Sequence, residues 1–162
     1  MKTVYLIRHA KSSWDDEDLD DFDRPLNDRG EKDAPRMGKR LKARAVVPDM
    51  IYSSPALRAL TTAKIIAESV GYPVKSIQTD RRMYNADEDM LLEIMLGVPD
   101  QNNCIFMFAH NPGITAFANA LFNQSIENIP TTGIVAGELN INSWRSAKWG
   151  VGKQLFFDYP KA

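Results

Sequence analysis

Only two histidines occur in this chain, and each closes a short apolar run. His9 ends Val4-Tyr5-Leu6-Ile7-Arg8-His9. His110 ends Cys104-Ile105-Phe106-Met107-Phe108-Ala109-His110 and precedes Asn111-Pro112-Gly113. Runs of this length, rich in β-branched and aromatic side chains, read as buried strands. Helix signals follow both. The two imidazoles are therefore expected at the carboxyl ends of parallel strands, the edge where open α/β sheets bind ligands. The plainer alternative is a pair of histidines satisfied in the core or in loops.

Two arginines sharpen the reading. Arg8 lies inside the first apolar run, where a charge is costly unless paired. Its planar fork suits bidentate binding of phosphate or carboxylate, and a salt bridge to a carboxylate of the acidic stretch Asp15–Asp23 is the structural alternative. Arg58 falls in the first turns of a predicted helix, where the positive end of the helix dipole disfavours a cation. It belongs there if it points back at an anion held at that helix start. The alternative is a guanidinium solvated on the helix face. Two imidazoles and two guanidiniums suit a tetrahedral oxyanion better than a metal, which needs more N, S or O ligands at recognised spacing. No His-Glu-x-x-His, Cys-x-x-Cys, phosphate-binding Gly-x-x-x-x-Gly-Lys loop, Gly-x-Gly-x-x-Gly or Gly-x-Ser-x-Gly occurs. Metal and nucleotide cofactors and a serine-hydrolase elbow are thus not expected.

These residues need a scaffold, and the chain supplies one. Asp28-Arg29-Gly30-Glu31 matches a capping box, with Ala34, Met37, Leu41 and Ala45 as one apolar helical stripe. Met50–Ser53 reads as a short strand. Ser54-Pro55 then opens a helix, as N-cap and first helical residue, with Leu57, Leu60, Ile65 and Ala67 inward and Gly71 as its stop. Residues 74–77 suggest an edge strand. Residues 87–96 suggest a helix burying Met90, Leu91, Ile94 and Met95, and residues 114–122 another. Residues 134–141 and 154–158 suggest a closing hairpin. Together they predict one α/β domain over residues 1–162, a three-layer sandwich with a mostly parallel central sheet and helices on both faces.

Composition narrows the class of function. Hydrophobic residues make up 44% and charged residues 25%, which suits a globular domain with a real core. A formal net charge of −1 provides no field for nucleic acid or anionic membrane, so neither is expected as a partner. The single cysteine, Cys104, excludes an intramolecular disulfide and reads as packing rather than chemistry. No signal peptide or membrane span is visible, and a cytoplasmic monomer is expected.

The ordered motifs resemble a family. Arg8-His9-Ala10-Lys11-Ser12-Ser13-Trp14-Asp15 is similar to the Arg-His-Gly-x-Ser-x-Trp-Asn block of the phosphoglycerate-mutase-like branch of the histidine phosphatase superfamily. Ser53–Ala63 resembles the branch's Ser-x-Leu-x-Arg-Ala-x-x-Thr-Ala block, and His110-Asn111-Pro112-Gly113 occupies the place of its third. Arg24-Pro25-Leu26 before Arg29-Gly30, with the short length and no inserted cap, resembles the SixA-like phosphohistidine phosphatases. The resemblance runs from residue 3 to about residue 135. It implies a phosphoglycerate-mutase-like fold and a phosphatase that needs neither metal nor cofactor. His9 is then the nucleophile that becomes phosphorylated, and Arg8, Arg58 and His110 hold the phosphoryl oxygens. Ser12, Asn111 and Asp15 stand at substrate-binding positions. The implied partner is a phosphorylated protein or a small phosphorylated metabolite.

Departures from the pattern carry information too. Where the branch carries a glutamate proton donor, this chain has Met83-Tyr84-Asn85. Asp87 or Glu88 are the candidate substitutes, although both also suit an exposed helix start. A missing strong acid suits a good leaving group, so a P–N bond, as in phosphohistidine, is the expected substrate linkage. A small-molecule phosphomonoesterase and a non-catalytic phosphoryl-binding module are the competing readings. Asp15 stands where the branch has asparagine, and it either points into the acidic loop or pairs with Arg24 or Lys11.

Overall fold

The computed structural model describes residues Met1–Ala162. In chain order the elements are β1 (Lys2–Arg8), α1 (Asp28–Ala43), β2 (Met50–Ser53), α2 (Leu57–Val70), β3 (Gln78–Thr79), α3 (Glu88–Leu96), β4 (Cys104–Ala109), α4 (Gly113–Phe122), β5 (Ile134–Leu139) and β6 (Gly152–Asp158). The six strands form one sheet in the order β3-β2-β4-β1-β5-β6. Alternation along the strands sends side chains to opposite faces. Val4 and Leu6 of β1 and Ile105 and Met107 of β4 join α3 and α4 in one core. Tyr5, Ile7, Phe106 and Phe108 join Met37 and Leu41 of α1 and Ile66 and Val70 of α2 in the other. Two cores flank one sheet, which is the expected three-layer sandwich.

The sheet is only partly parallel. β3, β2, β4 and β1 run parallel, whereas β5 is antiparallel to β1 and to β6. The physical reason is connection length: antiparallel partners can be joined by a hairpin, while parallel ones need a crossover. Here the closing hairpin supplies the antiparallel half. The parallel half carries both histidines.

Several local expectations shift. The N-cap of α1 is Asn27, whose side chain accepts the Gly30 N–H at 2.9 Å, so the box Asp28–Glu31 does not form. Ala45 lies past the helix end at φ 58° and is exposed. Residues 74–76 form a single 3-10 turn, fastened by the Tyr72 hydroxyl donating to the Ser76 carbonyl, and the edge strand is the two-residue β3 that follows. Met90 of α3 is only half-buried. α2 starts at Leu57, with Ala56 rather than Ser54 as N-cap, and turns a different face inward. Leu57 is exposed, Leu60 and Ile65 are half-buried, and Arg58, Ala59, Thr62, Ala63, Ile66 and Val70 are buried. The small side chains on that face admit close packing against α1, and Arg58 and Thr62 face the site.

Candidate active site

Three neighbouring parallel strands end at one edge. Arg8 of β1 registers with Ala109 of β4, and Ser53 of β2 with Phe108. The residues that follow, His9, His110 and Ser54, are therefore brought together by strand register alone. The two imidazole centroids stand 5.1 Å apart. Ser54 is locked by its own N–H, which donates to the Phe108 carbonyl at 3.0 Å.

His9 is held as a neutral base. Its Nδ1 lies 2.7 Å from the Ala10 carbonyl oxygen, which can only accept, so Nδ1 carries the proton and Nε2 keeps a free lone pair. Burial is the largest influence on its pKa, and His110, Arg58 and Arg8 add to it. Against the Ala10 hydrogen bond, they push the value down to about 3. The backbone around it is fixed from the far side: the Thr132 N–H donates to the carbonyls of Arg8 and His9, both at 3.1 Å. Thr132 is fully buried and sits in the left-handed region at φ 61°, a costly conformation for a β-branched residue.

Four cationic side chains surround His9. Arg8, Lys11, Arg24 and Arg58 line one cavity of about 180 Å³ with His9, Ser12, Trp14 and Thr131. Arg8 donates from Nη1 to the Ile129 carbonyl at 2.9 Å, and its buried Nε has no protein partner. Its pKa is lowered by burial and then by Arg58. No carboxylate reaches it. The acidic loop engages Arg58 instead: Nη1 donates to the Asp21 carbonyl at 2.6 Å, and Nη2 pairs with Asp21 Oδ2 at 2.9 Å. Asp21 also takes the Tyr84 hydroxyl at 2.6 Å and pairs with Arg24 at 3.1 Å. The Tyr84 hydrogen bond first, and Arg58 and Arg24 after it, hold its carboxyl at about 2. One ionised carboxylate thus orients two of the four cations, and the cavity keeps a net positive charge suited to a phosphoryl dianion.

His110 lies outside the wall of that cavity, buried between His9 and Tyr84, whose ring meets it edge-on at 5.7 Å. Its Nε2 is 2.8 Å from Ser54 Oγ, while its buried Nδ1 has no protein partner. Burial and Arg58 lower its pKa to about 4.

The remaining candidates separate. Ser12 lies in the cavity wall, where its hydroxyl accepts from Arg24 Nη2 at 2.6 Å. Asp15 is exposed, forms no salt bridge with Arg24 or Lys11, and lies outside the cavity wall. The Asn111 amide is engaged by the protein: it donates to Asn128 and Ile129 and accepts from Thr115, bracing the loop that starts α4. Asp87 caps α3 through the Met90 N–H. Asp87 and Glu88 line a different cavity, with Asn85, Asn111 and Gly113. Arg24, Asp21, Tyr84, Ser54 and Thr132 complete the surroundings of the site, and no motif in the sequence assigns them a role in it. The available signal was an arginine and a tyrosine flanking acidic or apolar runs, which is common in any sequence. No three or more His, Cys, Asp or Glu side chains come together as a metal site. Cys104 is half-buried and its thiol is pushed up to about 12, chiefly by burial.

Comparison with known proteins gives this geometry a family. The profile of the histidine phosphatase superfamily (branch 1) matches residues 4–88. An uncharacterised chloroplastic protein of Arabidopsis thaliana is 31% identical over 155 residues, covering 90% of this chain and 70% of its own. The protein histidine phosphatase SixA, solved with tungstate, superposes with a TM-score of 0.83 at 20% identity, over 98% of this chain and 97% of that one. A SixA protein from Agrobacterium tumefaciens assigned as a phosphohistidine phosphatase gives a TM-score of 0.83 at 25% identity, covering 98% of both chains. With a free imidazole nitrogen among converging guanidiniums at the sheet edge, the chain belongs to the histidine phosphatase superfamily and has the SixA-like form of its fold.

Proposed function

We propose that this phosphatase removes the phosphoryl group from phosphohistidine on a small phosphocarrier or phosphotransfer protein, through a phosphorylated His9. The observation that carries the reading is the His9 pair of nitrogens, with Nδ1 committed to the Ala10 carbonyl and Nε2 unprotonated and open. Nε2 attacks phosphorus in line as the bond from phosphorus to the leaving group breaks. Arg8, Arg58 and His110 hold the oxygens, on which charge is spread at the transition state. Water then attacks the phosphorylated His9, the N–P bond breaks, orthophosphate leaves, and the water's proton passes to phosphate or solvent.

The choice of a P–N substrate rests on the acid. Asp87 caps a helix, Asp21 is ionised in an arginine pair, and Asn85 cannot donate as a carboxylic acid does. A phosphohistidine protonated on its other ring nitrogen leaves as neutral imidazole, and so needs no proton at the departing atom. An exposed Trp14 stacked 3.1 Å from the Arg24 guanidinium stands at the cavity rim, where a protein surface carrying the phosphoryl group can meet it.

The test is phosphate release, in chelator, from a phosphohistidine protein and from an alkyl phosphate, with wild type and His9→Ala. Preference for phosphohistidine, abolished in His9→Ala, is expected, together with acid-labile phosphate trapped on wild type alone. Faster turnover of the alkyl phosphate would favour a small-molecule phosphomonoesterase. Tight phosphate binding without turnover would favour a binding module.

A further inference from the structure

We propose that Ser54 is a positioning residue that fixes His110 as the neutral tautomer protonated at Nδ1, so that this imidazole offers the substrate an N–H rather than a lone pair.

Ser54 is fully buried, and its hydroxyl has one proton and two acceptor sites. The Ala56 N–H, which can only donate, occupies one acceptor site at 3.2 Å. The other partner of Ser54 Oγ is His110 Nε2 at 2.8 Å. Were Nε2 protonated, both acceptor sites would be filled and the hydroxyl proton would be left buried without an acceptor, an unfavourable arrangement. With Nε2 unprotonated, Ser54 donates to it, and the Ser54 hydroxyl and Nε2 are both satisfied. The ring proton then resides on Nδ1, the His110 nitrogen that has no protein partner. A neutral imidazole is also the state that burial and Arg58 impose.

The chemical consequence is one of sign. A phosphoryl oxygen carries lone pairs and negative charge, so it is attracted by Nδ1–H and repelled by a bare Nδ1. Arg8 and Arg58 are donors in every state, whereas His110 is a donor at Nδ1 only in one tautomer. Ser54 selects it. The same β2 end that places Ser54 beside Phe108 thus sets a proton on the neighbouring strand.

This proposal rests, for its kinetic part, on His110 being a phosphoryl ligand. Its structural part does not. With two histidines in the chain, long-range proton–nitrogen correlation spectra of 15N-labelled protein contain two imidazoles, and His9→Ala identifies which is which. At pH 7 the wild type is expected to show His110 Nε2 as the unprotonated nitrogen and Nδ1 as the protonated one. A protonated Nε2, or two nitrogens at the averaged position of exchanging tautomers, would overturn the proposal. Ser54→Ala is expected to move both nitrogens toward that average and to lower kcat/KM for a phosphohistidine substrate about 10–100-fold. Ser54→Thr, which keeps the hydroxyl, is expected to restore the wild-type spectrum and most of the rate. An unchanged His110 spectrum in Ser54→Ala, or an unchanged rate beside an averaged spectrum, overturns it as well. If Ser54→Ala does not fold, the wild-type and Ser54→Thr spectra decide. Loss of the nucleophile is scored separately by His9→Ala, so failure here is distinguishable from failure of the phosphatase reading.

Discussion

At the scale of single residues, the two histidines cost the fold stability in acid. The value of His9, about 3, and that of His110, about 4, lie below the ordinary imidazole value of 6.5. Between those values and 6.5 the unfolded chain binds protons that the folded protein refuses. Stability therefore rises with pH across that window and falls as a solution is acidified from pH 7 to pH 5. The slope is about 1.4 kcal/mol per pH unit for each histidine once below 6.5. Urea unfolding at pH 7 and pH 5 is expected to show this loss in wild type and about half of it in His9→Ala. A stability difference between the two proteins that does not change with pH would contradict the burial of a neutral His9. The same low value keeps the His9 Nε2 lone pair free: with His9 as the proposed nucleophile, turnover, after allowance for the substrate's own ionisation, is expected to fall only as pH approaches about 3.

Among the elements, the first turns of α1 pack against the strip after β1 that lines the cavity. The Asn27 N–H donates to the Lys11 carbonyl at 3.0 Å, and a Cβ placed on Gly30 would stand 2.2 Å from that same oxygen. Gly30→Ala must therefore push α1 away from Lys11 and Ser12, both in the cavity wall. A loss of about 1–3 kcal/mol in stability is expected, with a raised KM, measurable by urea unfolding and steady-state kinetics. α2 shows the reverse dependence, of an element on the site. The Thr62 hydroxyl donates to the Arg58 carbonyl at 2.7 Å and accepts the Ala10 N–H at 2.9 Å, tying the helix to the residue after His9. That tie decides which face of α2 turns inward.

For the molecule as a whole, the two cores are separable from the chemistry. Phe106 is fully buried in the core under α1 and α2, with its ring centroid 5.0 Å from that of Tyr5. Phe106→Ala is expected to cost about 3–5 kcal/mol in urea unfolding, while kcat per folded molecule stays near wild type because β4 keeps its hydrogen-bonded register. A large fall in kcat with little change in stability would show that the cores and the site are not independent. Charge is also partitioned. A chain of formal net charge −1 concentrates four cations around one cavity and lines the neighbouring loop with carboxylates, of which Asp21 alone is committed to the cations. No helix of the molecule is long and apolar enough to cross a membrane.

The sequence by itself determined the strands that precede His9, Ser54 and His110, the helix that begins at Asp87–Glu88 and the closing hairpin. These features depend on backbone hydrogen bonding and burial, which repeat at periods of 2 or 3.6 residues and are written locally. Only the tertiary structure decided the rest. The contacts of Arg58 with Asp21, Tyr84 with Asp21 and His110 with Ser54 join residues 37, 63 and 56 positions apart. No local period encodes such pairs. They arise because parallel strands bring distant carboxyl ends side by side, where buried donors and acceptors must find partners. The inward face of α2 follows from the same cause: apolarity favours Leu57 and Leu60, but Arg58 and Thr62 find their partners inside.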